Sequence, residues 1–173
     1  MVGKYARAEE WAGRAMKLYE RYALPDRNRY FTCAKICMMV GIEFGEYQQV
    51  LDQGAATLSR LQNCDDEIPR HGKNFCRLMA EAAFHMEDYI GARDHQKKAV
   101  EHLYALCRKY PGELAIAHRM VYELAVYCHK LIDPKAEEYC LEALALQQRY
   151  APEDTQLNVA ITSLKLSILL SNC

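Results

Sequence analysis

The chain has 173 residues, of which 51% are hydrophobic and 26% charged, with a formal net charge of −1. This composition suits one folded domain with a sizeable core and excludes a disordered chain. The near-neutral charge argues against a dedicated nucleic-acid binder, which carries a strongly basic face. No stretch reaches the roughly 18 uninterrupted apolar residues of a membrane span.

The opening residues, Met1-Val2-Gly3-Lys4, lack the apolar run of a signal peptide. Cys33, Cys37, Cys64, Cys76, Cys107, Cys128, Cys140 and Cys173 mostly stand where a small apolar residue would sit on a helix. Free thiols and a reducing, cytoplasmic (intracellular) setting are therefore expected.

Val, Ile and Thr are sparse and no segment alternates with period two, so helix is expected throughout. The first helix is predicted from about Lys4 to Ala23 and stops at Pro25, after which Asp26 can cap the second, Asn28 to Phe44. The third covers Tyr47 to Leu61. The longest connection follows, Asn63 to Gly72, and then the fourth helix, Lys73 to Met86. The fifth runs from Tyr89 to Tyr110 and ends at Pro111-Gly112. The sixth covers Glu113 to Leu131. Asp133 caps the seventh, with Pro134 in its first turn, and Pro152 ends it. The eighth covers Glu153 to Ser171.

These helices repeat. Ala8, Val50, Ala92 and Ala136 stand 42, 42 and 44 residues apart, and Ala15, Thr57, Ala99 and Ala143 keep the same spacings. In the intervening helices Cys37, Met79 and Leu124 correspond, as do Met38, Ala80 and Ala125, and Gly41, Ala83 and Cys128. A short acidic corner follows each: Gly45-Glu46-Tyr47, Glu87-Asp88-Tyr89 and Asp133-Pro134. Small residues at fixed positions let antiparallel helices approach closely. One hairpin cannot bury its own apolar face, so copies stack. The predicted organisation is a single domain over residues 1–173: a half-repeat (4–24), repeats over 28–61, 73–110 and 113–150, and a final helix over 153–171.

The small pair Ala80 and Ala83, the corner Glu87-Asp88-Tyr89, and Ala92 and Ala99 resemble the tetratricopeptide repeat family. The period of about 42 exceeds the family's usual 34 and is similar to the longer repeats of kinesin light chains and of bacterial regulators of like architecture. Ala143 to Tyr150 followed by Pro152-Glu153-Asp154 reads like the second helix and turn of that variety. The resemblance implies an all-α, right-handed superhelix of about eight helices stacked as antiparallel hairpins, serving as a non-catalytic protein-interaction module or scaffold.

The resemblance also implies that the first helix of each hairpin lines a concave groove. The expected lining is Lys35, Met39 and Glu43; then Arg77, Leu78, Glu81 and His85; then Arg119, Tyr122, Glu123 and Val126. This mixture of charged, apolar and aromatic groups suits an extended or helical peptide. Family members that hold a chaperone's C-terminal carboxylate use a clamp of Lys, Asn and Arg. Here Met39 and Leu78 replace the asparagines and Glu123 would repel a carboxylate, so that partner is not expected.

No catalytic, metal-binding or cofactor-binding residues are expected. Cys33 and Cys37 lie one helical turn apart but lack the further ligands of a structural zinc site. The glycines are isolated, which rules out a phosphate loop, and Asp65-Asp66-Glu67 lacks the spacing of a calcium loop. No His-Glu-x-x-His motif or nucleophile setting occurs. Lys97-Lys98, Arg93 and His102 alternate with Asp94 and Glu101, the pattern of a solvated helix face.

The eighth helix, with Leu164, Ile168 and Leu169, is apolar on more than one face. It is a candidate docking helix for a second copy or a larger complex. Two alternatives follow: a structural subunit of a multiprotein assembly docking through its terminal helices, or a helical-repeat RNA binder. The net charge and the lack of a repeated base-reading pair speak against the latter.

Overall fold

Three corners in the chain are closed by one hydrogen-bond pattern. The Glu46, Asp88 and Asp133 N–H groups donate to the carbonyls of Gly41, Ala83 and Cys128 at 2.8, 3.0 and 2.9 Å. The preceding Gly45, Glu87 and Ile132 donate to Ile42, Phe84 and His129 at 3.1, 3.0 and 3.0 Å, and all three adopt positive φ, at 77°, 61° and 55°. This is the Schellman ending of a helix, in which a left-handed residue turns the last carbonyls back into use. It falls at equivalent points of each predicted repeat, on the small residues Gly41, Ala83 and Cys128.

The computed structural model describes residues 2–22, 27–62 and 68–171. They form α1 (Val2–Tyr22), α2 (Arg27–Phe44), α3 (Tyr47–Leu61), α4 (Ile68–His85), α5 (Tyr89–Lys109), a 3-10 turn (Pro111–Ile116), α6 (Ala117–Lys130), α7 (Lys135–Tyr150) and α8 (Thr155–Ser171). No strand occurs among the described residues, so the fold is all-α. Each helix packs on its neighbours in sequence, and α2 also touches α4 and α6 touches α8. The molecule is thus a stacked series of antiparallel hairpins. The capping role of Asp26, the stop at Pro25 and the acidic run Asp65-Asp66-Glu67 lie outside the described residues.

Two boundaries differ from expectation. The fourth helix begins at Ile68, not Lys73. Pro69 falls in its first turn, where no N–H is needed, and Gly72 lies inside it, where a Cβ would come within 2.9 Å of the His102 ring on α5. Before the sixth helix, Pro111 and Gly112 open a 3-10 turn, because proline has no N–H to give and glycine is weakly helical. That turn is pinned by an ion pair between Lys73 and Glu113.

The repeat residues of α3, α5 and α7 turn inward, while Ala8 and Ala15 of α1 and Cys37 of α2 are half-buried. Val50, Ala92 and Ala136, and likewise Thr57, Ala99 and Ala143, are at most 3% exposed. Phe31, Met38, Val50, Leu61, Phe75 and Met79 form a core among α2, α3 and α4. Ala80, Ala83 and Ala92 meet Tyr127 where α4, α5 and α6 converge. A third core, around Leu103, Val121, Leu124, Ala143 and Ile161, joins α5 to α8. Cys76, Cys107, Cys128 and Cys140 are buried in it as small apolar residues.

Candidate partner-binding groove

The expected groove residues come from α2, α4 and α6, and those of α4 and α6 form a polar cluster. Arg77 donates to Glu81 one turn further along α4, at 3.2 Å. Facing them from α6, Glu123 lies within electrostatic reach of Arg77, Glu81 and Arg119. Glu123 accepts a 2.9 Å hydrogen bond from the Gln96 amide of α5, whose nitrogen also donates to the Met120 carbonyl at 2.9 Å. Burial pushes the Glu123 carboxyl above the usual range; Arg77 pulls it down and Glu81 adds to the rise. The Tyr127 hydroxyl is raised for the same reasons: burial first, then the two carboxylates.

Further along, Arg119, Tyr122, Glu123, Asp154, Leu157 and Ala160 bound a cavity of about 340 Å³ between α6 and α8. Arg119 donates to Asp154 at 2.8 Å and, with the Leu157 N–H, holds that carboxyl below its usual value. The arginine side chain is 65% exposed, so solvent screens the pair and it adds little to stability. Both groove arginines are therefore matched to a carboxylate of their own, while the contact recorded for Glu123 is with an amide.

The other residues are more spread out. The His85 ring stacks on Tyr47 at 4.9 Å and 7°. On α2, Met39 is 47% exposed, Glu43 is exposed and Lys35 is half-buried. Val126 is half-buried against the small-residue cluster of Ala80, Ala83 and Ala92.

Leu78 does not line the groove. It is 2% exposed and packs in the core of α2, α3 and α4, because the one-turn register that exposes Arg77 and Glu81 turns Leu78 toward α2. The docking set on α8 is also corrected. Ile168 is 5% exposed in the α5–α8 core and Leu164 is half-buried against it. Leu169 is exposed, and Val159, Leu166 and Leu170 share that exposure.

Gln96 was missed. It occupies the position filled by Ala12, Gly54 and Cys140 in the other repeats, so a polar side chain at a small-residue position was the available signal. Asp154 was read only as part of a turn, and its tie to Arg119 bridges two helices.

A depression of about 950 Å³ lies away from the groove, between α1 and α3. Charged side chains such as Glu10, Arg14, Glu20 and Asp52 rim it, with Met16 and Cys37 among its lining. Among the described residues, no group of three or more His, Cys, Asp or Glu is placed to hold a metal ion, and no helix is long and apolar enough to cross a membrane. No protein-family model matches the chain, and no curated protein matches it.

Proposed function

We propose that the chain is a non-catalytic, tetratricopeptide-like protein-interaction module whose groove receives a partner peptide or helix. The observation that carries this reading is the α4–α6 surface, where Arg77, Glu81 and Glu123 lie together on packed helices and Tyr122 bounds the adjoining cavity between α6 and α8. Tyr122 and Val126 supply apolar area, and the matched and unmatched charges supply selectivity. The cysteine chemistry agrees. Burial raises the thiol pKa at Cys33, Cys107 and Cys140, and to about 11 at Cys76 and Cys128, which disfavours a thiolate nucleophile.

The test is affinity capture from the native cell with the wild-type chain and with Arg77→Glu combined with Tyr122→Ala, helicity being checked by circular dichroism. Loss of the captured protein with retained helicity is expected. A partner still bound by the double variant refutes the groove.

A second reading, a subunit of a larger assembly, draws on the exposed apolar residues of α1 and α8. Trp11, Leu18 and Tyr22 are 65%, 52% and 60% exposed, and Val159, Leu166 and Leu170 are 66%, 57% and 77% exposed.

A further inference from the structure

Those two helices are complementary by the logic of the repeat. An offset of 84 residues carries Ala8 onto Ala92, and it carries Trp11, Leu18 and Tyr22 onto His95, His102 and Leu106 of α5. On α5 these positions are covered: His95 and His102 are half-buried and Leu106 is 5% exposed. The His102 ring lies directly against Gly72 of α4, its partner in the hairpin. The exposed face of α1 is therefore the face that α5 turns to α4 within their hairpin.

At the other end, α8 follows α7 as α4 follows α3 and α6 follows α5, so it stands in the place of a hairpin's first helix. It packs on α7 and α6 through Ile161 and Ile168, both at most 5% exposed. Val159, Ser163, Leu166 and Leu170 recur at i, i+4, i+7 and i+11 on its exposed side, a continuous stripe one helix wide.

We infer that α1 of a second copy of this chain docks on α8, completing between two molecules the hairpin that α4 and α5 complete within one. Antiparallel docking, as within each internal hairpin, sets Trp11 beside Leu166 and Leu18 beside Val159. It also brings Arg21 to the turn that precedes α8, near Glu153. In the free chain Arg14 and Arg21 lie over the Trp11 and Tyr22 rings, at 5.4 and 5.6 Å, Arg14 being also paired with Glu10 at 2.8 Å, and covering the rings moves both arginines to the rim.

The 17 residues of α8 give a contact about 25 Å long. Two helices docked over that length bury on the order of 1,000 Å² in total, the lower end for a specific interface. The association is consequently weak and concentration-dependent. Because α1 and α8 are different surfaces, the contact is head-to-tail and each added copy presents a new α8. This goes beyond the groove reading and stands without it.

Sedimentation velocity of the full chain from about 1 to about 100 µM tests it. The mean mass should rise steadily with concentration. Leu18→Asp and Leu166→Asp should each give a monomer throughout, with helicity unchanged by circular dichroism. An equimolar mixture of the two variants should form a dimer and nothing larger, since one intact α1 still meets one intact α8. If either variant loses helicity, Trp11→Asp or Leu170→Asp takes its place. A wild-type chain that stays monomeric overturns the inference. So does a dimer that either single variant leaves intact, which marks a symmetric contact, and so does a mixture that stays monomeric.

Discussion

Replacing Ile132 by glycine should stabilise the protein. Ile132 holds φ at 55° in the corner between α6 and α7, and its side chain is 83% exposed. A left-handed backbone costs an L-residue about 1–2 kcal/mol, and a branched β-carbon puts Ile toward the upper end. Glycine removes that cost but brings about 0.5–1 kcal/mol of extra unfolded-state entropy. Little burial is lost, so the net gain is about 1 kcal/mol, or about 2–4 °C in Tm for a chain of this size. The mirror substitution is Gly45→Ala. Gly45 holds the same corner between α2 and α3 with φ 77°, and an added Cβ meets nothing within 4 Å. Backbone strain of about 1–2 kcal/mol is then partly offset by the lower unfolded-state entropy of alanine, and a net loss of up to about 1 kcal/mol is expected. Thermal melts followed by circular dichroism, with urea denaturation as a check, measure both. A lower Tm for Ile132→Gly, or no change for Gly45→Ala, would show that the two corners do not share the left-handed ending, and the repeat would lose its best structural support.

Another glycine pair tests close helix approach. At Gly54 a Cβ would stand 2.6 Å from the Met79 Cγ and Sδ, and at Gly13 it would meet nothing within 4 Å. Gly13→Ala should therefore gain up to about 1 kcal/mol of helix propensity. Gly54→Ala should fall at least 1 kcal/mol below it, because overpacking costs about 1–3 kcal/mol; equal gains in urea midpoints would refute the α3–α4 packing. Glu123 titrates above its unfolded value, so the folded state binds the proton more tightly and its ionisation costs stability as pH rises through the folded pKa. Glu123→Gln should match the wild type near pH 4 and exceed it increasingly toward pH 8 in urea midpoints; a pH-independent gap would contradict the buried carboxylate. Cys76, 1% exposed with its thiol pushed up to about 11, should resist alkylation at pH 8 until the chain unfolds. Peptide mapping that finds it modified in the native protein counts against the α4–α5 packing.

Helix positions were legible because the 42-residue spacing of small residues leaves only one way to bury them. Ala80, Ala83, Ala92, Ala99 and Ala143 all turned inward for that reason. The start of α4 was not legible. Pro69 and Gly72 read as loop punctuation, and only contact with α5 shows that Gly72 is there to admit the His102 ring. Leu78 was placed in the groove because a one-residue difference of helical phase, about 100°, separates a lining residue from a core one, and spacing alone does not resolve it. Gln96 carried a signal, a polar residue at a small position, but its hydrogen bonds run to residues more than twenty positions away.

By itself the sequence determined that this chain is helical, that its helices pair, and that the pairs recur. Those properties follow from periodicity and from small side chains, which act locally. Tertiary structure alone decided which side of each helix faces outward, which charges are matched, and that the uncovered face of α1 corresponds to a face that α5 turns to α4 inside the molecule. Such facts depend on the rotation of one packed helix against another, a variable that no spacing along the chain encodes.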